Sequence, residues 1–300
     1  MRIVSLLPSA TEIVYRLGLG GALVGVTFEC DEPIEARARH EIVVGGLPTH
    51  GLSAGEIDAL VRAKVAAGEP LYVLDEVAVG RLQPDVILTQ DLCRVCALPA
   101  GDVDDALGRL GCRAEVVTLD PHTLDGVLDT IAEIGRRCGA PEAAARELGA
   151  LRARLDAVAA ATAGRSRPRV FVLEWSDPPF LAGHWVPDLV VAAGGEPVLA
   201  RAGERSVPCS WDAVAATGAD VVVVAPCGFG LADAVEQAER VLDRMPAGVP
   251  VWAIDANAFT VRPGPRLVDG VEALAAAFHP DAVPPPPPGR IAAIRQRIAG

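Results

Sequence analysis

Short apolar runs rich in β-branched residues recur along this chain, each ending abruptly in polar residues. Arg2 to Leu7, Leu23 to Thr27, residues 84 to 89 and Glu115 to Leu119 are of this kind, as are Val170 to Leu173, residues 221 to 225 and Val249 to Ile254. Continuous apolar runs of this length predict strands covered on both faces, as in parallel sheets. Between them lie stretches with helical start signals. Ser9-Ala10-Thr11-Glu12 and Ser53-Ala54-Gly55-Glu56 both read as capping boxes. The second opens a helix over about residues 54 to 66, and a further helix is predicted over residues 102 to 110. Strands alternating with helices predict an α/β fold of βαβ units on parallel sheets.

The pattern runs twice. Residues 123 to 163 form a long Ala-, Arg- and Leu-rich helical region broken at Gly139-Ala140-Pro141, with Leu148, Leu151, Leu155 and Val158 at helical spacing. After the polar run Gly164-Arg165-Ser166-Arg167-Pro168 the strand-and-helix order restarts. A helix over residues 186 to 193 ends in Gly194-Gly195, set against Gly20-Gly21, and Ser210-Trp211-Asp212 opens a helix in the place of Ser53 onward. The expected organisation is an N-terminal lobe over 1–122, a connecting helix and linker over 123–167, and a C-terminal lobe over 168–283. Residues 284–300 are read as a proline-rich spacer, Pro284 to Pro288, with a tail that is helical or disordered.

Composition narrows the function. The 300 residues carry a formal net charge of −12, and 51% are hydrophobic. An acidic chain does not present the basic face that nucleic acid or an anionic membrane needs, and no stretch is long enough to span a bilayer. Seven scattered cysteines do not form a secreted disulfide framework, and Met1 to Pro8 is not a secretory signal. The expectation is a cytoplasmic protein with reduced thiols.

In open α/β sheets, ligands bind at the carboxyl ends of the strands. That rule puts Pro8, Cys30, His50, Cys93, Cys96 and His122 on the rim of the first lobe. On the second it puts Trp175, Asp177, Pro179, Phe180, His184, Trp185, Cys209, Cys227, Phe229 and Asn257. Two of the four tryptophans fall within the single segment 174–185. Flat rings and prolines with few polar anchors suit a large planar ligand, and His50, His122 and His184 are candidate axial ligands of a bound metal. Cys93 and Cys96 form a C-x-x-C. With Cys30 and Cys227 they would make four soft ligands, suited to zinc or an iron–sulfur cluster with a redox, sensing or metal-handling role. Cys112 and Cys138 are read as packing residues. The chain has no G-x-S-x-G, no phosphate-binding loop and no H-E-x-x-H, so a binding protein is expected rather than an enzyme.

Several stretches resemble the helix-hinged periplasmic-binding-protein family, the cobalamin, siderophore and haem receptors of ABC importers. They are Ser5-Leu6-Leu7-Pro8-Ser9-Ala10-Thr11-Glu12, Cys30-Asp31-Glu32-Pro33, Gln83-Pro84-Asp85-Val86-Ile87, Asp177-Pro178-Pro179-Phe180 and Pro265-Arg266-Leu267. The likeness covers roughly residues 1–280 and is nearest to cobalamin-binding members. It implies two lobes joined by one long helix, with a cleft between them that takes a corrinoid or related metal chelate. It also implies one acidic residue on each lobe for docking a transporter; Glu56 and Asp212 stand at those positions, where each also fits as an early-turn acid of its helix. The chain departs from the family in its cysteine-rich cleft positions and in opening without an export signal. These departures point to an intracellular relative, whose partner would be importer-like or cytosolic.

Overall fold

A computed structural model describes residues 1–91, 100–110 and 112–295. The chain divides into two compact units: Met1–Pro121 with Gly126–Gly149, and His122–Asp125 with Ala150–Gly300.

In the first unit the elements run β1 (Ile3–Ser5), α1 (Pro8–Arg16), β2 (Leu23–Thr27), α2 (Ala36–Arg39), β3 (Glu41–Gly45), α3 (Ala54–Ala66), β4 (Val73–Leu74), α4 (Glu76–Leu82), β5 (Val86–Thr89), α5 (Ala100–Leu110) and β6 (Glu115–Thr118). They form one sheet in the order β4-β3-β2-β1-β5-β6, parallel throughout except at β3–β4. The expected strands are all present. β3 and β4 were not anticipated, although Ile42-Val43-Val44 carries the β-branched signature of the others.

The start of α1 departs from expectation. Its N-cap is Leu7, with no side-chain capping bond and Pro8 in the first turn. Proline's fixed φ suits that position, so the helix begins earlier than the Ser9 box predicts, and Ser9 and Glu12 are buried instead. The Ser53–Glu56 box does form, and α3 spans the predicted residues.

The region expected to connect the lobes is two helices, α6 (Leu124–Arg137) and α7 (Pro141–Thr162), shared between the units. The second unit continues with β7 (Arg169–Ser176), β8 (Pro179–Leu181), α8 (Val186–Ala192), β9 (Glu196–Pro197), β10 (Val207–Pro208), α9 (Trp211–Ala215), β11 (Val221–Val224), α10 (Leu231–Arg240), β12 (Val251–Ile254), α11 (Ala256–Phe259), α12 (Leu267–Phe278) and β13 (Ile291–Arg295). Its sheet runs β10-β8-β7-β11-β12-β13, with β9 paired to β7.

The repeat read from the sequence is visible in the pairing. β1 lies between parallel neighbours β2 and β5, and β7 pairs in parallel with β9 and β11. The matching glycines are Gly18 and Gly194 rather than Gly20 and Gly194. Both follow their helix in a left-handed conformation, φ +76 and +82, which glycine adopts without a Cβ penalty. The tail corrects the other expectation. Residues 291–295 are neither helical nor disordered but an antiparallel edge strand on β12, held at its end by Arg295, which donates to the carbonyls of Val249 and Pro246.

Candidate functional site

Unit 2 gathers most of the candidate residues at the carboxyl ends of β7, β11 and β12. The β7–β8 hairpin sets Trp175 opposite Phe180, and residues directly opposite on an antiparallel pair project from one face. Phe229, after β11, lies against Trp175 with ring centroids 5.6 Å apart and planes tilted by 44°. The Trp175 indole N–H donates to the Asp177 carbonyl at 3.0 Å, which fixes the ring's angle. The loops are joined through their backbones: Asn257 N–H donates to the Phe229 carbonyl at 3.3 Å, and Cys227 N–H to the Glu174 carbonyl at 3.0 Å. Trp175, Phe180 and Phe229 are all half-buried, so this pre-set aromatic group retains apolar surface for a ligand. Asp177 is exposed beside it.

Two candidates in the same segment have structural positions. Trp185 is only 4% exposed, and its indole N–H donates to the Thr260 carbonyl at 2.7 Å. Pro179 is buried in the hairpin. The chain folds back after β8, where Gly183 N–H and the Ser206 hydroxyl both donate to the Glu174 carboxylate. Glu174 was not anticipated. It lies one residue before Trp175, and nothing in the local pattern distinguishes it from a solvent-facing acid. His184 is half-buried, 6.3 Å from the exposed His122 and 5.7 Å from Trp185 between ring centroids. Burial, then His122, then Arg205 hold its pKa below the ordinary histidine value.

The first unit presents a different chemistry. Pro8 is half-buried at the start of α1 and His50 is exposed ahead of α3. Cys30 is not a rim thiol: it is fully buried. Its Sγ lies 3.0 Å from Thr11 Oγ1 and 3.3 Å from Thr27 Oγ1, and Thr27 N–H donates to it. The turn after β2, closed by Cys30 N–H donating to the Thr27 carbonyl, tucks the thiol inward. Thr11 extends this cluster by donating to Ser5 Oγ. Cys93 and Cys96 lie outside the described residues. Among the described residues no three His, Cys, Asp or Glu side chains are grouped to hold a metal ion, so the four-cysteine zinc or iron–sulfur reading finds no support there.

Cys112 packs against the first unit's core, and Cys138 is buried, its thiol pushed up to about 11 by that burial. Cys209 packs against the second unit's core, where burial likewise raises its pKa. Of the two acids suggested for docking, Glu56 is exposed and closes its capping box, accepting from Ser53 N–H at 2.8 Å and Ser53 Oγ at 2.7 Å; those bonds lower its pKa. Asp212 is exposed in the first turn of α9, whose cap is Ser210.

Each unit is an α/β layer with parallel strands at the centre of its sheet, and the second carries an aromatic group at its strand ends. The periplasmic binding protein family model matches residues 3–249, and the chain belongs to that family. A cobalamin-binding protein of Halobacterium salinarum is 27% identical over 93% of this chain and 69% of its own length. Among solved structures, a periplasmic haem-binding protein from Pseudomonas aeruginosa superposes with a TM-score of 0.70 at 23% identity, covering 99% of both chains. The periplasmic vitamin B12-binding protein of Vibrio cholerae does so with 0.67 at 23% identity, covering 92% of this chain and 96% of its own.

Proposed function

We propose that this protein binds a corrinoid, or a closely related planar metal chelate, against the aromatic group of its second unit. The observation that carries the reading is the Trp175–Phe229 ring pair, with Phe180 opposite Trp175 on the hairpin. Its rings are half-buried and anchored before any ligand arrives, which reduces the ordering cost of binding. The cobalamin-binding relative and the haem- and B12-binding structural neighbours support the ligand class. Titration with aquocobalamin, cobinamide and haem, followed by visible absorption and calorimetry, tests it. At least one should bind, and Trp175→Ala should weaken that complex by about 1–3 kcal/mol, the range expected of a central aromatic anchor. Absence of heat and of spectral change with all three would overturn the reading.

We also propose that the exposed carboxylates Glu56 and Asp212 dock a transporter-like partner. The structural neighbours include an ABC transporter substrate-binding protein from Listeria monocytogenes. Reversing both charges should abolish co-purification with the partner while leaving chelate affinity unchanged; a surviving pulldown would reduce the two acids to helix-start residues.

A further inference from the structure

His184 occupies a left-handed backbone conformation, φ +54. Few non-glycine residues do, although histidine is among those enriched there. The conformation is held from both sides: His184 N–H donates to the Glu204 carbonyl at 2.6 Å, and its own carbonyl accepts from Gly203 N–H at 2.9 Å. Glu174 clamps the flanks through Gly183 and Ser206. Gly183 is required by this close approach, since a Cβ there would stand 2.2 Å from the Ser206 nitrogen. Backbone held this firmly in a sparsely populated region concentrates at ligand-handling positions.

The side chain carries the second observation. His184 Nε2 is buried and has no hydrogen-bond partner, whereas buried polar atoms are nearly always satisfied by protein, water or an ion. A second imidazole is at hand within the same unit: the His122 ring lies 6.3 Å away with planes 40° apart.

We propose that His122 and His184 form a two-imidazole site for a divalent transition-metal ion of the cobalt, nickel, copper and zinc class. Metal–nitrogen bonds of about 2.0–2.1 Å at tetrahedral angles place two rings sharing one ion with centroids about 5 Å apart. The observed separation, 6.3 Å, is wider, so the exposed His122 ring must turn towards His184 to close the site. Imidazole nitrogen is the commonest protein ligand for such ions. Nitrogen donors without a carboxylate cage disfavour calcium and magnesium. Two ligands leave open positions for water or a small co-ligand, and the nearby Arg205 cation favours an anionic one. The site concerns a free ion and does not depend on the chelate reading.

Metal-free, tag-free full-length protein is titrated by calorimetry with Co²⁺, Ni²⁺, Cu²⁺ and Zn²⁺, and the Cu²⁺ form is examined by electron paramagnetic resonance. One equivalent should bind, with affinity rising from cobalt through nickel to copper. His122→Ala and His184→Ala should each weaken binding at least about tenfold, some 1.4 kcal/mol. Because His184→Ala can disturb its clamped loop, the exposed His122 gives the decisive comparison: two coordinated nitrogens in wild type, one in His122→Ala. Binding no tighter than about 1 mM, an unchanged His122→Ala isotherm, or the same nitrogen count in both proteins would overturn the proposal. Chelate titrations in the presence of EDTA are read separately, so either result stands without the other.

Discussion

Removing the Asp269 carboxylate should destabilise the second unit by about 2 kcal/mol. Asp269, 8% exposed on α12, accepts from Arg154 of α7 at 2.6 Å and pairs with Arg290, from the segment leading into β13, at 2.9 Å. Breaking a buried pair by deleting one partner costs about 3–5 kcal/mol, because the other charge is left uncompensated. Here the arginines keep a second acceptor. Arg154 still donates to both Glu272 oxygens, at 2.8 and 2.7 Å, and Arg290 to one at 3.2 Å. Arg154 is also about a third exposed, so water screens part of the loss. These corrections bring the cost of Asp269→Ala to about 2 kcal/mol, and Asp269→Asn, which keeps one acceptor oxygen, to about 1 kcal/mol. Glu236→Ala, which removes an exposed pair with Arg240 on α10 of the same unit, should cost less than about 1 kcal/mol. Urea unfolding followed by tryptophan fluorescence isolates the effect, since Trp175, Trp185, Trp211 and Trp252 all belong to the second unit. An Asp269→Ala midpoint no lower than that of Glu236→Ala would refute the reasoning.

The same network predicts an acid limit. Its hydrogen bonds from Arg154 hold the Glu272 carboxyl below the usual carboxylate range, so this contribution is complete above about pH 4.3, the unfolded value, and fades as pH falls through the lower folded one. The fluorescence midpoint should therefore drop less between pH 6 and 4 than below 4, and less steeply in Arg154→Met; equal slopes in both proteins would count against it. Truncation after Val283 removes β13 and bares the β12 edge, an unpaired row of backbone donors and acceptors. The shortened chain should aggregate, by light scattering, at concentrations where the full chain does not, and unchanged scattering would show that the edge is protected without β13.

The fold was legible because its parallel strands are buried on both faces, so each reads as an unbroken apolar run: Val221-Val222-Val223-Val224 is buried at every position. Of the elements that escaped notice, β3 carries a β-branched run but is buried only at Val43 and Val44, and most of the others lack the signal. β4, β9 and β10 have two residues each, too few for any period. β13 reads Ile291-Ala292-Ala293-Ile294-Arg295, a sequence with good helix propensity that strand pairing to β12 overrides. The Ser9 box failed for a related reason: the motif was present, but an adjacent proline was better suited to the first turn.

The site divides along a different line. Rules about strand ends say which loops emerge at the carboxyl edge of each sheet, because topology alone sets that. They do not say which side chains of a loop turn outward. Trp175 and Trp185 are ten residues apart in one segment and were equivalent in the sequence, yet one stays half-buried and the other is buried with its indole N–H on the Thr260 carbonyl. The difference comes from the Glu174 clamp, a contact with Ser206 across 32 residues, and no local pattern encodes a contact at that range. Cys30 repeats the point in the first unit, where two threonines from separate elements take its thiol inside. Where two such units descend from one pattern, as the shared β2-β1-β5 and β9-β7-β11 pairing shows, the strand-end positions are common to both and the side chains are free to diverge. The second unit's rings and imidazoles, set against the first unit's buried hydroxyl–thiol cluster, therefore make the second unit the place to look for ligand selectivity.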